Sequence, residues 1–152
     1  MGPSNSAQAI DSPADSSPTD FTLEGQQVLL VEDCADQRRL FLQFLQSAGA
    51  EVTLECNGRS AVDAVKKLPT RFDAVVMDFQ MPETDGLDAT RQLRELGYRG
   101  AIIAVTAYGS NELKQSWFQA GCDEYLEKPL DKQKLVGAVR RLVAAAKEVS
   151  GA

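Results

Sequence analysis

Apolar residues in this chain fall into short unbroken runs, separated by segments in which they recur every three or four positions. Gln27 to Val31, Ala74 to Met77 and Ala101 to Val105 are continuous and rich in Val, Ile and Leu, as expected of strands covered on both faces. Glu51 to Glu55 and the short Asp123 to Leu126 predict two further strands. Between them the helical period returns. Asp36 to Ala48 places Leu40, Phe41, Phe44 and Leu45 on one face and stops at Gly49. Asn57 caps a helix through Lys67, with Ala61, Val62, Val65 and Leu68 inward. Pro82 to Asp85 is turn chemistry, after which Leu87, Thr90, Leu93 and Leu96 mark a third helix. Ser110 caps a fourth, closed by Gly121; Asp131 caps the last, through about Ala146, with Leu135, Val139, Leu142 and Val143 as its stripe. Five repeats of strand then helix predict an α/β fold, a doubly wound five-stranded parallel sheet with five helices. Ligands in such a fold sit beyond the carboxyl ends of the strands.

The 152 residues amount to one domain. Residues 1 to about 20 are rich in Ser, Pro, Ala and Asp, and hold too little apolar surface to offset the entropy of ordering. The expected division is a tail or interdomain linker over 1–24, a folded domain over 25–148 and a short tail over 149–152, with Phe21 and Leu23 on the domain edge. Residues 1 to 26 carry four of the 22 acids and no Lys or Arg, so most of the net charge of −6 lies there. Without clustered basic residues, no nucleic-acid partner is expected. No apolar run approaches the roughly 18 residues of a membrane span, and no direct membrane contact is expected. Nor does the N-terminus read as a signal peptide, so a cytoplasmic location is expected.

The chain has no histidine. That excludes a Ser-His-Asp triad, a Cys-His pair and a histidine-containing zinc site, and leaves carboxylates, hydroxyls, lysine and thiols. Cys34, Cys56 and Cys122 are odd in number and widely spaced, and read as reduced thiols rather than a disulfide framework; Cys34 follows two acids, which disfavour a thiolate, and is expected to be non-catalytic.

Candidate chemistry gathers at the strand ends. The first strand runs into Glu32 and Asp33, the third ends at Asp78, the fourth at Thr106, and Lys128 follows the fifth. Taken singly, each is ordinary capping or turn chemistry. Together, three acids at one rim repel one another unless a cation sits among them. Mg2+ suits them, being a hard ion held by one or two carboxylates plus waters and a phosphate. Asp33 and Asp78 are candidate direct ligands, with Glu32 acting directly or through water. One carboxylate can then act as a nucleophile toward phosphorus, with Lys128 and Thr106 as the cation and hydroxyl donor.

The segments VLLVED (28–33), VVMDFQMPETDG (75–86), IIAVTA (102–107) and GCDEYLEKP (121–129) resemble the receiver domain of two-component response regulators, over about residues 27 to 146. The resemblance implies a flavodoxin-like strand order 2-1-3-4-5. It implies that Asp78 accepts a phosphoryl group from a partner's phosphohistidine, and that Glu32, Asp33, Asp78 and the Gln80 carbonyl hold Mg2+. Thr106 would orient a phosphoryl oxygen and Lys128 pair with it. Tyr125 matches an aromatic switch position, although a strand tyrosine also serves as half-buried packing. Glu32 stands where Asp is more frequent, and Gln80 and Tyr108 occupy positions that govern water access to the acyl phosphate.

The implied partners are a histidine kinase, a histidine phosphotransfer protein or both, acting on a monomer or weak dimer. The wording is most like receivers of hybrid sensor histidine kinases, so the chain is expected to be either a stand-alone regulator or part of such a kinase in the cytosol. It would catalyse only its own modification and is no conventional enzyme. The alternative is an interaction module of the same fold that works without phosphorylation; its mark would be a missing site residue. A flavin-binding protein is disfavoured by the acidic loop after the first strand, and an Asp-dependent phosphatase by Gln80 in place of a second Asp.

Overall fold

A computed structural model describes residues 22–79, 86–107 and 110–151, with side chains to residue 146. The elements alternate throughout: β1 (Gln27–Val31), α1 (Ala35–Ser47), β2 (Glu51–Glu55), α2 (Gly58–Lys67), β3 (Ala74–Asp78), α3 (Gly86–Glu95), β4 (Ala101–Thr106), α4 (Asn111–Ala120), β5 (Glu124–Glu127) and α5 (Lys132–Gly151). All strand pairs are parallel and the sheet order is β2-β1-β3-β4-β5. This is the doubly wound 2-1-3-4-5 arrangement. The order reverses between β1 and β3, which opens a crevice at their carboxyl ends.

Alternation along the strands feeds two cores. Val28, Leu30, Val76 and Ile103 pack with Phe41 and Leu45 of α1 and Leu135 and Val139 of α5. Leu29, Val31, Val75 and Ile102 pack with Val62 of α2, Leu93 of α3 and Trp117 of α4. Every residue of β3 and β4 is buried, which explains why these strands read as unbroken apolar runs. Leu23 lies in the first core, so packing begins ahead of residue 25. Phe21 and the Pro82–Asp85 turn lie outside the described residues.

The expected caps form. Asn57 Oδ1 accepts from Ser60 N–H (2.8 Å), Ser110 Oγ from Leu113 N–H (3.2 Å) and Asp131 Oδ1 from Lys134 N–H (2.8 Å). Three leucines assigned to inner faces are instead exposed: Leu40 at 42%, Leu68 at 47% and Leu96 at 44%. Helix α2 ends at Lys67 and α3 at Glu95, so Leu68 and Leu96 have left the stripe. On α1 the inner positions go to Phe41 and Leu45, an i, i+4 pair, and Leu40 is turned aside. The last helix continues past Ala146 to Gly151. No described helix is long and apolar enough to cross a membrane.

The fifth strand runs Glu124–Glu127, one residue later than the expected Asp123 to Leu126, and the Asp123 carboxylate organises the junction ahead of it. That carboxylate accepts from Ile102 N–H and from Arg94 Nη2, both at 2.9 Å. Arg94 also donates to the carbonyls of Tyr98 (2.8 Å), Gly100 (2.9 Å) and Gly121 (3.0 Å). Gly121 has φ +120°, and a Cβ there would lie 2.5 Å from Arg94 Cγ, so this junction requires glycine. Arg94→Ala strands three carbonyls and is expected to cost about 2–3 kcal/mol in urea unfolding, with Arg94→Lys recovering only part because lysine lacks the planar fork.

Candidate phosphoacceptor site

The register aligns the site. Val31 pairs with Met77, so Glu32 stands beside Asp78 across the β1–β3 boundary. Asp78 pairs in turn with Val105, and Thr106 is the next residue of β4. Thr106 pairs with Glu127, and its carbonyl accepts from Lys128 N–H at 2.7 Å, which fixes the start of the loop bearing Lys128. The rim thus carries Glu32, Asp33, Asp78, Thr106 and Lys128 together, while Tyr125 lies back from it within β5, opposite Ala104. Gln80 and Tyr108 lie outside the described residues.

Glu32, Asp33 and Asp78 each offer an oxygen within 4.8 Å of the others. Burial divides them: Glu32 is 1% and Asp78 4% exposed, whereas Asp33 faces solvent. Lys128 Nζ lies 3.3 Å from Asp78 Oδ2 and 3.7 Å from Glu32 Oε1, one ammonium between two buried carboxyls. One cation cannot neutralise both. Glu32 Oε2 accepts from Cys34 N–H (3.2 Å), while the buried Oε1 accepts no hydrogen bond. Burial pushes the Glu32 carboxyl up to about 7; hydrogen bonding to Asp78 and that residue's charge add to the rise, against Lys128 and the Cys34 amide. An under-satisfied, oxygen-only donor set of this kind fits a hard divalent cation such as Mg2+.

One further group, Arg38, carried no sequence signal of its own. Arg38 on α1 donates from Nη1 to the Glu32 carbonyl (3.0 Å) and lies 3.9 Å from Cys56 Sγ, which steadies the backbone below the acids. Its position one turn after Cys34, whose carbonyl accepts the Arg38 N–H, points it back at the rim. The three cysteines are free thiols, Cys34 and Cys56 exposed and Cys122 buried. Tyr125 pairs with Ala104 on β4, is half-buried, and packs against Trp117 and Phe118 of α4.

Residues 28–140 match the response regulator receiver domain. The chain belongs to this family. As a receiver, it is a signalling module of two-component phosphorelays. It is 32% identical over 124 residues to the osmosensing histidine protein kinase SLN1 of Saccharomyces cerevisiae, covering 78% of this chain and 10% of the kinase. It spans between 10% and 15% of the length of the plant and yeast kinases it matches. Among solved structures, it resembles the receiver of the sensor histidine kinase PA1611 from Pseudomonas aeruginosa, crystallised with magnesium in its active-site cleft. That likeness has TM-score 0.71 and 37% identity, over 79% of this chain and 98% of that one. It also resembles the receiver of the response regulator Ssk1 of Saccharomyces cerevisiae, crystallised with the histidine phosphotransfer protein Ypd1; there the TM-score is 0.71 and the identity 26%, over 78% of this chain and 89% of that one.

Proposed function

We propose that Asp78 is the phosphoacceptor of this receiver, taking its phosphoryl group from a phosphohistidine on a histidine kinase or a histidine phosphotransfer protein. The observation that carries this is the position of Asp78. It ends a central strand, buried beside a second carboxyl, with the Lys128 ammonium at 3.3 Å. An Asp78 carboxylate oxygen forms the new O–P bond as the donor's P–N bond breaks. The electron pair leaves on the imidazole nitrogen, which takes up a proton. Lys128 faces the charge that gathers on the phosphoryl oxygens, and the Thr106 hydroxyl at the adjacent strand end takes another of them. Glu32, Asp33 and Asp78, with the Gln80 carbonyl, would hold Mg2+. The bound ion supplies positive charge against the acids and the incoming phosphate. The donor must come from elsewhere, because the chain has no histidine. Likeness to receivers within kinases supports a place in a hybrid histidine kinase.

The test is to expose the full chain to a small phosphodonor with Mg2+ and weigh it intact, then fragment it. One phosphoryl adduct, labile in base and cleaved by hydroxylamine, on the peptide containing Asp78 is expected, and chelation should abolish it. No adduct, or an adduct on a hydroxyl residue, overturns the proposal.

A further inference from the structure

The ring cluster between α4 and β5 reaches from the phosphoacceptor to Tyr125. Phe79 directly follows Asp78, and its ring packs so closely on Gly86 that a Cβ there would meet Phe79 Cδ1 at 2.7 Å. The same ring meets Trp117 edge-on, with centroids 5.3 Å apart. Trp117 lies 6.1 Å from Tyr125, and Phe118 lies 6.2 Å from it. Lys114, one helical turn before them on the same face of α4, places its ammonium 4.4 Å from the Tyr125 ring centroid. Among the described residues Lys114 makes no ion pair, so the ring is the group its charge faces. A cation over an aromatic face is held by the ring quadrupole.

We infer that Lys114 is a positioning residue: its ammonium latches Tyr125 against α4 and so sets how readily the site accepts a phosphoryl group. This rests on the reading of Asp78 above. If phosphorylation draws Thr106 toward Asp78 and Tyr125 follows, the ring must leave the Lys114 ammonium. The latch then favours the unphosphorylated arrangement, and weakening it shifts the population the other way. Trp117, touching both Phe79 and Tyr125, gives the movement an optical reporter as the chain's one tryptophan.

The experiment titrates the full chain with beryllofluoride, a phosphoryl mimic, in Mg2+, reading occupancy by fluorine NMR and Trp117 emission alongside. Lys114→Met is expected to bind roughly two- to fivefold more tightly than wild type, and Lys114→Arg to restore the wild-type midpoint. In a Tyr125→Leu background, Lys114→Met should change nothing. Without any mimic, the Lys114 side-chain protons should show a ring-current shift that Tyr125→Leu removes. An unchanged midpoint for Lys114→Met, or the same tightening without Tyr125, overturns the latch while leaving the Asp78 reading intact. No bound mimic in any variant defeats the Asp78 reading, and the regulatory role with it. A missing ring-current shift overturns the latch on its own.

Discussion

Asp78→Asn is expected to fold normally and to lose the phosphoryl adduct altogether, whereas Lys128→Ala should retain it at a rate lowered about ten- to a hundredfold. The contrast follows from what each side chain does. An amide oxygen keeps the shape of the carboxylate but lacks its nucleophilic charge, so no O–P bond forms. Removing Lys128 leaves the nucleophile in place and takes away the ammonium that Asp78 faces at 3.3 Å. That loss is worth one charge-assisted contact to the transferring group. Initial rates of adduct formation with a small phosphodonor, read by intact mass, separate the two. A persisting adduct in Asp78→Asn would place the chemistry elsewhere. A wild-type rate in Lys128→Ala would show that the ammonium serves only to balance the buried acids.

The sheet and its rim were legible because strand ends announce themselves. A buried parallel strand is apolar along its run, so the charged residue that closes it, Glu32 just past β1 or Asp78 at the last position of β3, marks where the crevice begins. Caps were legible for a similar reason, since Asn57, Ser110 and Asp131 each meet an orphan amide at a fixed offset. What sequence did not show depends on the angle at which one element meets the next. Nothing in Glu32-Asp33 says that the first is sealed in and the second faces water. Leu40 follows the same period as Phe41 yet points away, because a helix stripe a few residues wide does not fix helix rotation. Arg38 and Lys114 carry no signal in the sequence beyond a charge within a helical segment; the three-dimensional packing sets one beneath the acids and the other over Tyr125.

Glu32→Gln should make the metal-free protein more stable at about pH 8 by about 1–3 kcal/mol, and flatten its dependence on pH. In the folded state the Glu32 carboxyl titrates at about 7 against 4.5 as its ordinary value, so between these pH values the native protein holds a proton that the unfolded chain has released. Stability is therefore greatest below the lower value, falls as pH rises through the window, and levels off above the upper one. The full shift corresponds to about 3 kcal/mol, and losing the Lys128 contact offsets part of it. Urea unfolding in a chelator, from about pH 5 to about pH 8, should show the fall in wild type and little of it in Glu32→Gln. Asp78→Asn should also reduce the fall, because Asp78 supplies two of the causes that raise the Glu32 value. If Glu32 belongs to the metal site as proposed, adding Mg2+ is expected to reverse the ranking at the upper pH, because an ion stabilises the state that binds it and the wild type offers one more charge. A wild-type profile as flat as that of Glu32→Gln would mean that the buried carboxyl is already neutralised without metal, and that the rim has no deficit for a cation to fill.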